Sequence, residues 1–136
     1  MKAFLFPGQG SQTVGMGREF FDSFVRVKEI FNTADEILGY KLSKIILDGP
    51  ESKLKLTENT QPAILLVSYS IFEVMKKEFG VKSEDFKYFA GHSLGEYSAL
   101  LAAESLSFNE TIKAVHLRGK FMKEAVPNGK GSMLAV

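Results

Sequence analysis

The sequence predicts an α/β fold, a parallel sheet flanked by helices, from three features. Short apolar runs of strand length, Ala3-Phe4-Leu5-Phe6 and Tyr88-Phe89-Ala90, each run into a glycine- or proline-marked turn. Longer segments with apolar residues at helical spacing lie between and after them. The last residues, Gly131-Ser132-Met133-Leu134-Ala135-Val136, open a further strand-like run. Strands that alternate with helices of these lengths pair in parallel, because each return to the sheet is made by a crossover helix.

Each element follows from its residues. Ala3–Phe6 reads as a buried strand stopped by Pro7-Gly8. Residues 8–17 hold Gly8, Gly10, Gly15 and Gly17, a loop that bends sharply or approaches other backbone closely. Phe20, Phe24, Val27, Ile30, Phe31, Ala34 and Leu38 predict one helix, stopped by Gly39. Leu42 to Leu56 is turn-rich and predicts one or two short helical turns. Asn59-Thr60-Gln61-Pro62 reads as a helix start with Pro62 near the first turn, followed by a stripe of Ile64, Val67, Ile71, Met75 and Phe79 and a stop at Gly80. The run Ala63-Ile64-Leu65-Leu66-Val67 is apolar on every side, so that half of the helix is expected to be buried all round. Leu94–Ala103 and Asn109–Val126 complete the helices.

Composition narrows the function classes. The 136 residues are 45% apolar and 24% charged with a net charge of +1, which suits a soluble globular domain and gives no overall field for nucleic acid or an anionic membrane. With no cysteine there is no disulfide, thiolate metal site or cysteine nucleophile, and no metal site is expected. No apolar run approaches the ~18 residues that span a bilayer, and the N-terminus reaches Pro7-Gly8 too early for a signal peptide, so a cytoplasmic protein is expected.

The chemistry centres on Gly91-His92-Ser93-Leu94-Gly95, a Gly-x-Ser-x-Gly pentapeptide set between a strand and a helix. That context is a nucleophile elbow: a tight turn needs glycine on both flanks, and the following helix aims free N–H groups and its positive end at the serine. A serine that merely caps the helix is the plainer alternative. His92 is adjacent to Ser93, and neighbouring side chains leaving a strand diverge, so His92 reads as a packing or hydrogen-bonding residue and not the base. His116, two residues from Arg118, reads as a surface histidine facing away from it. Arg118 projects from an apolar stripe of Ala114, Phe121, Met122 and Ala125. A bidentate carboxylate partner and an internal or outward-reaching structural role fit that pattern equally well. Gly119 beside it implies a close approach of backbone.

Four blocks then occur in order: Phe6-Pro7-Gly8-Gln9-Gly10-Ser11-Gln12, Thr60-Gln61-Pro62-Ala63, Gly91-His92-Ser93-Leu94-Gly95-Glu96-Tyr97 and Arg118-Gly119-Lys120-Phe121-Met122. Together they closely resemble the malonyl-CoA:acyl carrier protein transacylases of bacterial fatty-acid synthesis and the related acyltransferase domains of polyketide synthases. The resemblance runs from end to end of the chain. It implies a three-layer hydrolase-like parallel sheet flanked by helices, incomplete here. Residues 1–130 would form the N-terminal part of the large subdomain, and 131–136 the start of a ferredoxin-like small subdomain otherwise absent.

The resemblance also implies roles. Ser93 matches the nucleophile, and the backbone N–H groups of Gln9 and Leu94 match the oxyanion hole. Arg118 matches the partner of malonyl's free carboxylate, while Gln61 and His92 match supporting positions of the substrate pocket. No cofactor is implied, since the coenzyme A thioester and the phosphopantetheine thiol of the carrier protein are both substrates. The family's catalytic histidine lies beyond the region matched here. The chain is thus expected to be inactive alone, to expose an open sheet edge and apolar helix faces, and to depend on the rest of the fold, on the same polypeptide or a complementing chain. Lys113, Lys120, Lys123 and Lys130 could meet an acidic carrier protein or simply form a solvated face. Two other readings stand beside the transacylase: a serine esterase or thioesterase, and a non-catalytic fragment or module that binds carrier protein or acyl-CoA.

Overall fold

A computed structural model describes residues 1–126. Two strands, β1 (Ala3–Phe6) and β2 (Tyr88–Gly91), pair in parallel with Phe4 opposite Phe89 and Phe6 opposite Gly91. Five helices intervene: α1 (Arg18–Ser23), α2 (Val25–Leu38), α3 (Leu42–Asp48), α4 (Glu51–Leu54) and α5 (Thr57–Phe79). A single 3-10 turn, Ser83–Asp85, leads into β2, and α6 (Gly95–Ala102) and α7 (Phe108–Ala125) follow. The α/β class and the parallel pairing are as the sequence predicts. The anticipated strand at Gly131–Val136, Lys130 and the subdomain boundary at 130/131 lie outside the described residues.

Phe4 and Phe6 of β1 and Phe89 of β2 share one sheet face, where Phe72 of α5 and Ala99 and Ala102 of α6 cover them. The Phe72 ring meets Phe4 edge-on at 5.2 Å, a favoured aromatic geometry. The other face is bare, and here the expectation of a buried strand is corrected: Leu5 is 72% exposed and Tyr88 53%. Alternation places Leu5 opposite Phe4 and Phe6, and no described helix covers that side. The main core is separate, formed where Val27 and Phe31 of α2 and Leu42 of α3 meet Leu65 of α5 and Val115 of α7.

Three further expectations change. The helix foreseen from Phe20 to Leu38 is two, because Phe24 is extended (φ −121°, ψ 119°). Phe20, Phe21 and Phe24 all still pack on the core, so the apolar spacing runs on through a break in the backbone. On α5 the buried apolar positions beyond the first half are Phe72 and Val74, each 1% exposed, while Phe79 of the anticipated stripe is 70% exposed. The half-buried Ile71 lies beside an open groove along β1. The all-round burial of Ala63–Val67 is as foreseen.

The start of α5 is the third correction. The helix begins at Thr57, so Pro62 sits inside it rather than in its first turn. Proline has no N–H for the carbonyl four residues back, which is Glu58. That orphan carbonyl lies 3.0 Å from Nδ1 of His116 on α7. A carbonyl only accepts, so Nδ1 carries the proton. His116 is therefore half-buried and bonded across the helix pair, with the Tyr40 ring 5.7 Å away, and is not the surface residue expected from its position. Burial, and then the Glu58 and Asp35 carboxylates, push the Tyr40 phenol well above its usual range. Its O–H thus stays a donor, to Asn59 Oδ1 at 2.9 Å.

Gly119 completes this junction, as the sequence foresees. A Cβ there would meet Thr57 O at 2.6 Å and Glu58 Cα at 2.9 Å. Gly119→Ala gains ~1 kcal/mol of helix propensity but loses ~1–3 kcal/mol to overpacking against immovable backbone. The expected result is a melting temperature lowered by several degrees, read by thermal denaturation. An alanine variant that melts at or above the native temperature would show that the junction has slack.

Candidate active site

β2 delivers the chain directly into Ser93. The serine holds φ +54°, a left-handed conformation that L-residues rarely adopt and that marks a strained turn. Its flanking glycines are required by space. A Cβ on Gly91 would run into the Gly95 carbonyl, and one on Gly95 would meet Phe6 O at 2.6 Å and Pro7 O at 2.7 Å. The turn is pinned by His92 N–H donating to Phe6 O at 3.2 Å and Gly95 N–H donating to His92 O at 2.9 Å. Ser93 is left exposed ahead of the first turn of α6.

The glycine loop after β1 lies against this turn. A Cβ on Gly8 would sit 2.6 Å from both His92 Nδ1 and His92 O. His92 is thus packed over Gly8 backbone, in keeping with a supporting role. Gln9, the next residue, is exposed. Leu94 is fully buried, and no group among the described residues accepts from the backbone N–H of either Gln9 or Leu94. Both N–H groups are therefore without an acceptor among the described residues.

Arg118 reaches over from α7. Its Nη2 donates to Ser93 Oγ at 3.1 Å and its Nη1 to Gln61 Oε1 at 2.6 Å. Gln61, 1% exposed on α5, donates from Nε2 to the Met122 sulfur at 3.2 Å. The guanidinium carbon stands 5.9 Å from the Tyr97 ring centre. Ser93, Arg118 and Gln61 are thus brought together, though 57 residues of sequence separate the last two. The structure corrects the stripe from which Arg118 was read. Phe121 is 59% exposed and Met122 39%, and α7 buries instead Thr111, Ile112, Val115 and Gly119. Arg118 stands at the margin of an open apolar face and reaches inward from it.

Tyr97 was missed. It comes to the site through the Arg118 guanidinium, a contact between α6 and α7 that no local spacing signals. Lys123, one of the lysines weighed as a partner surface, instead pairs with Glu58 at 2.9 Å. None of the described ion pairs includes Arg118, so its charge is uncompensated by any carboxylate among the described residues. Those residues also hold no group of three potential metal ligands and no helix long and apolar enough to cross a membrane.

Comparison with known proteins agrees with this geometry. Residues 3–136 match the family model described as "Acyl transferase domain". The malonyl CoA-acyl carrier protein transacylase of Bacillus subtilis (strain 168) is 52% identical over 134 residues, covering 98% of this chain and 41% of the relative. That of Escherichia coli (strain K12) is 46% identical over 134 residues and is covered to 42%. Among solved structures, the acyl-carrier-protein-S-malonyltransferase of Bartonella henselae superposes with a TM-score of 0.88 at 46% identity, covering 93% of this chain and 40% of that one. A malonyl-transacylase solved in complex with a type II PKS acyl carrier protein gives a TM-score of 0.87 at 45% identity, covering 93% and 40%. The chain thus spans about two fifths of the length of the relatives it matches, and its fold is that of their N-terminal part. With residues 3–136 matched by the family model, and a strand-to-helix serine turn answered by an arginine from a distant helix, the chain belongs to the acyl transferase domain family.

Proposed function

We propose that this chain is the nucleophile-bearing part of a malonyl-CoA:acyl carrier protein transacylase of fatty-acid synthesis. The observation that carries the reading is the Arg118 guanidinium beside Ser93 Oγ, held on its other side, among the described residues, by a neutral amide alone. A cation kept free next to a nucleophile suits an acyl group that brings its own carboxylate. Malonyl is such a group, with its free carboxylate one methylene from the thioester carbonyl. The esterase and thioesterase readings leave that charge without a task.

The reaction runs in two halves. Ser93 Oγ loses its proton to a base and attacks the thioester carbonyl of malonyl-CoA. The oxyanion that forms is met by the N–H groups of Gln9 and Leu94, and its collapse expels coenzyme A thiolate, which takes up a proton. The malonyl ester on Ser93 is then attacked by the phosphopantetheine thiol of the carrier protein, and Ser93 Oγ is reprotonated as the product thioester departs. Throughout, Arg118 holds the malonyl carboxylate and so fixes the carbonyl over the oxyanion donors. Coenzyme A and phosphopantetheine enter only as parts of the substrates.

The base is supplied from outside these residues. The sequence has two histidines, and Nδ1 of His116 is engaged by Glu58 O while His92 packs on Gly8. The remaining three fifths or so of the fold, on the same polypeptide or a complementing chain, is the proposed source. The test is to incubate the full-length protein with holo carrier protein and malonyl-CoA, then follow the carrier by intact mass. Malonyl on the carrier thiol is expected, and hydrolysis to free malonate with no thiol transfer would favour the hydrolase reading instead.

A further inference from the structure

We infer that Gln61 is a positioning residue for Arg118 and not itself a contact for substrate, and that its neutrality sets the acid selectivity of the site. The inference rests on the transacylase reading above. Both polar ends of the Gln61 side chain are already engaged: Oε1 accepts from Arg118 Nη1 at 2.6 Å, and Nε2 donates to Met122 Sδ at 3.2 Å. At 1% exposure the amide has little surface left to offer a ligand. Its orientation is determined as well. Flipping it would face an NH2 group against the guanidinium, donor to donor, and turn the carbonyl oxygen toward a sulfur that can only accept.

The identity of the acceptor matters more than its presence. A guanidinium offers five N–H donors on a rigid fork. Gln61 takes up part of that fork and fixes its plane, while the Tyr97 ring lies 5.9 Å from the guanidinium carbon. The amide does this without discharging the cation, so the full positive charge stays available for an incoming carboxylate. A glutamate would hold the fork equally well in shape but would form the ion pair itself and compete with substrate. Glu58, the acidic side chain at the start of the same helix, is diverted to Lys123 at 2.9 Å.

The experiment compares Gln61→Glu and Gln61→Met with the native full-length protein, using malonyl-CoA and acetyl-CoA as donors and counting active sites with a serine-reactive fluorophosphonate. For Gln61→Glu the malonyl-to-acetyl ratio of kcat/KM is expected to fall ~10-fold or more, mainly through a higher KM for malonyl-CoA. Gln61→Met keeps the length but offers no comparable acceptor, and should lower the ratio by a smaller factor. A purely structural role would depress both donors alike and leave their ratio at the native value. An unchanged ratio in the folded variants, or in Gln61→Met alone if Gln61→Glu does not fold, overturns the inference. Failure of the native protein to transfer malonyl would instead overturn the transacylase reading.

Discussion

In Ser93→Ala, incubation with malonyl-CoA is expected to leave no covalent ester on the protein, and transfer to the carrier should fall by about 10³-fold or more. The mass of the intact protein after a brief incubation reads the first, and the acylated carrier the second. The loss is expected without a stability penalty. Ser93 sits at φ +54°, a conformation that costs any L-residue roughly 1–2 kcal/mol, and alanine inherits that cost unchanged. Among the described residues, the only side-chain hydrogen bond removed is the one from Arg118, at an exposed site. Ser93→Gly sharpens the contrast: it should be equally inactive yet melt no lower than the native protein, since glycine relieves the strain. Full ester formation in either variant would remove Ser93 from the mechanism.

How much of this was legible depends on the range of each interaction. The serine turn was readable because its causes are local. Gly91, Ser93 and Gly95 lie within five residues, and the strand before and the helix after show in the same window. The glycine loop was readable as a close approach, though only the structure shows that it is Gly8 that meets His92. What periodicity could not supply was which of two apolar faces on α7 meets the core. Ala114, Phe121 and Met122 looked like a buried stripe and are open, because Ile112, Val115 and Gly119 form a second face one step round that fits α5. Pro62 misled in a similar way. Read locally it marks a helix start, whereas its consequence is long-range: it frees the Glu58 carbonyl for His116.

The α5–α7 junction explains how a residue remote in sequence reaches Ser93 with usable precision. Three contacts set the rotation and depth of α7: Gly119 against Thr57 backbone, His116 on Glu58 O, and Lys123 on the Glu58 carboxylate. All three involve Thr57 or Glu58, just before Gln61. The segment that anchors α7 therefore also carries the amide that orients Arg118, so the geometry of helix packing and that of the site are fixed together.

Arg118→Ala should separate the substrates more than any other change. For malonyl-CoA it removes the charged partner of a carboxylate that the site still has to accommodate, a loss of roughly 2–5 kcal/mol. At ~1.4 kcal/mol per tenfold, that is about 30-fold to several thousandfold in kcat/KM. For acetyl-CoA there is no carboxylate to orphan, and loss of the hydrogen bond to Ser93 Oγ is the main effect. Acetyl transfer should thus fall far less. Arg118→Lys separates charge from shape: a lysine keeps the cation but not the fork that serves Gln61 and the substrate at once, so an intermediate malonyl preference is expected. The ratio of kcat/KM for the two donors is the measurement. Equal losses in Arg118→Ala would mean that the guanidinium only supports the serine turn, whereas a selective loss of malonyl transfer, partly restored in Arg118→Lys, identifies it as the group that chooses the acid.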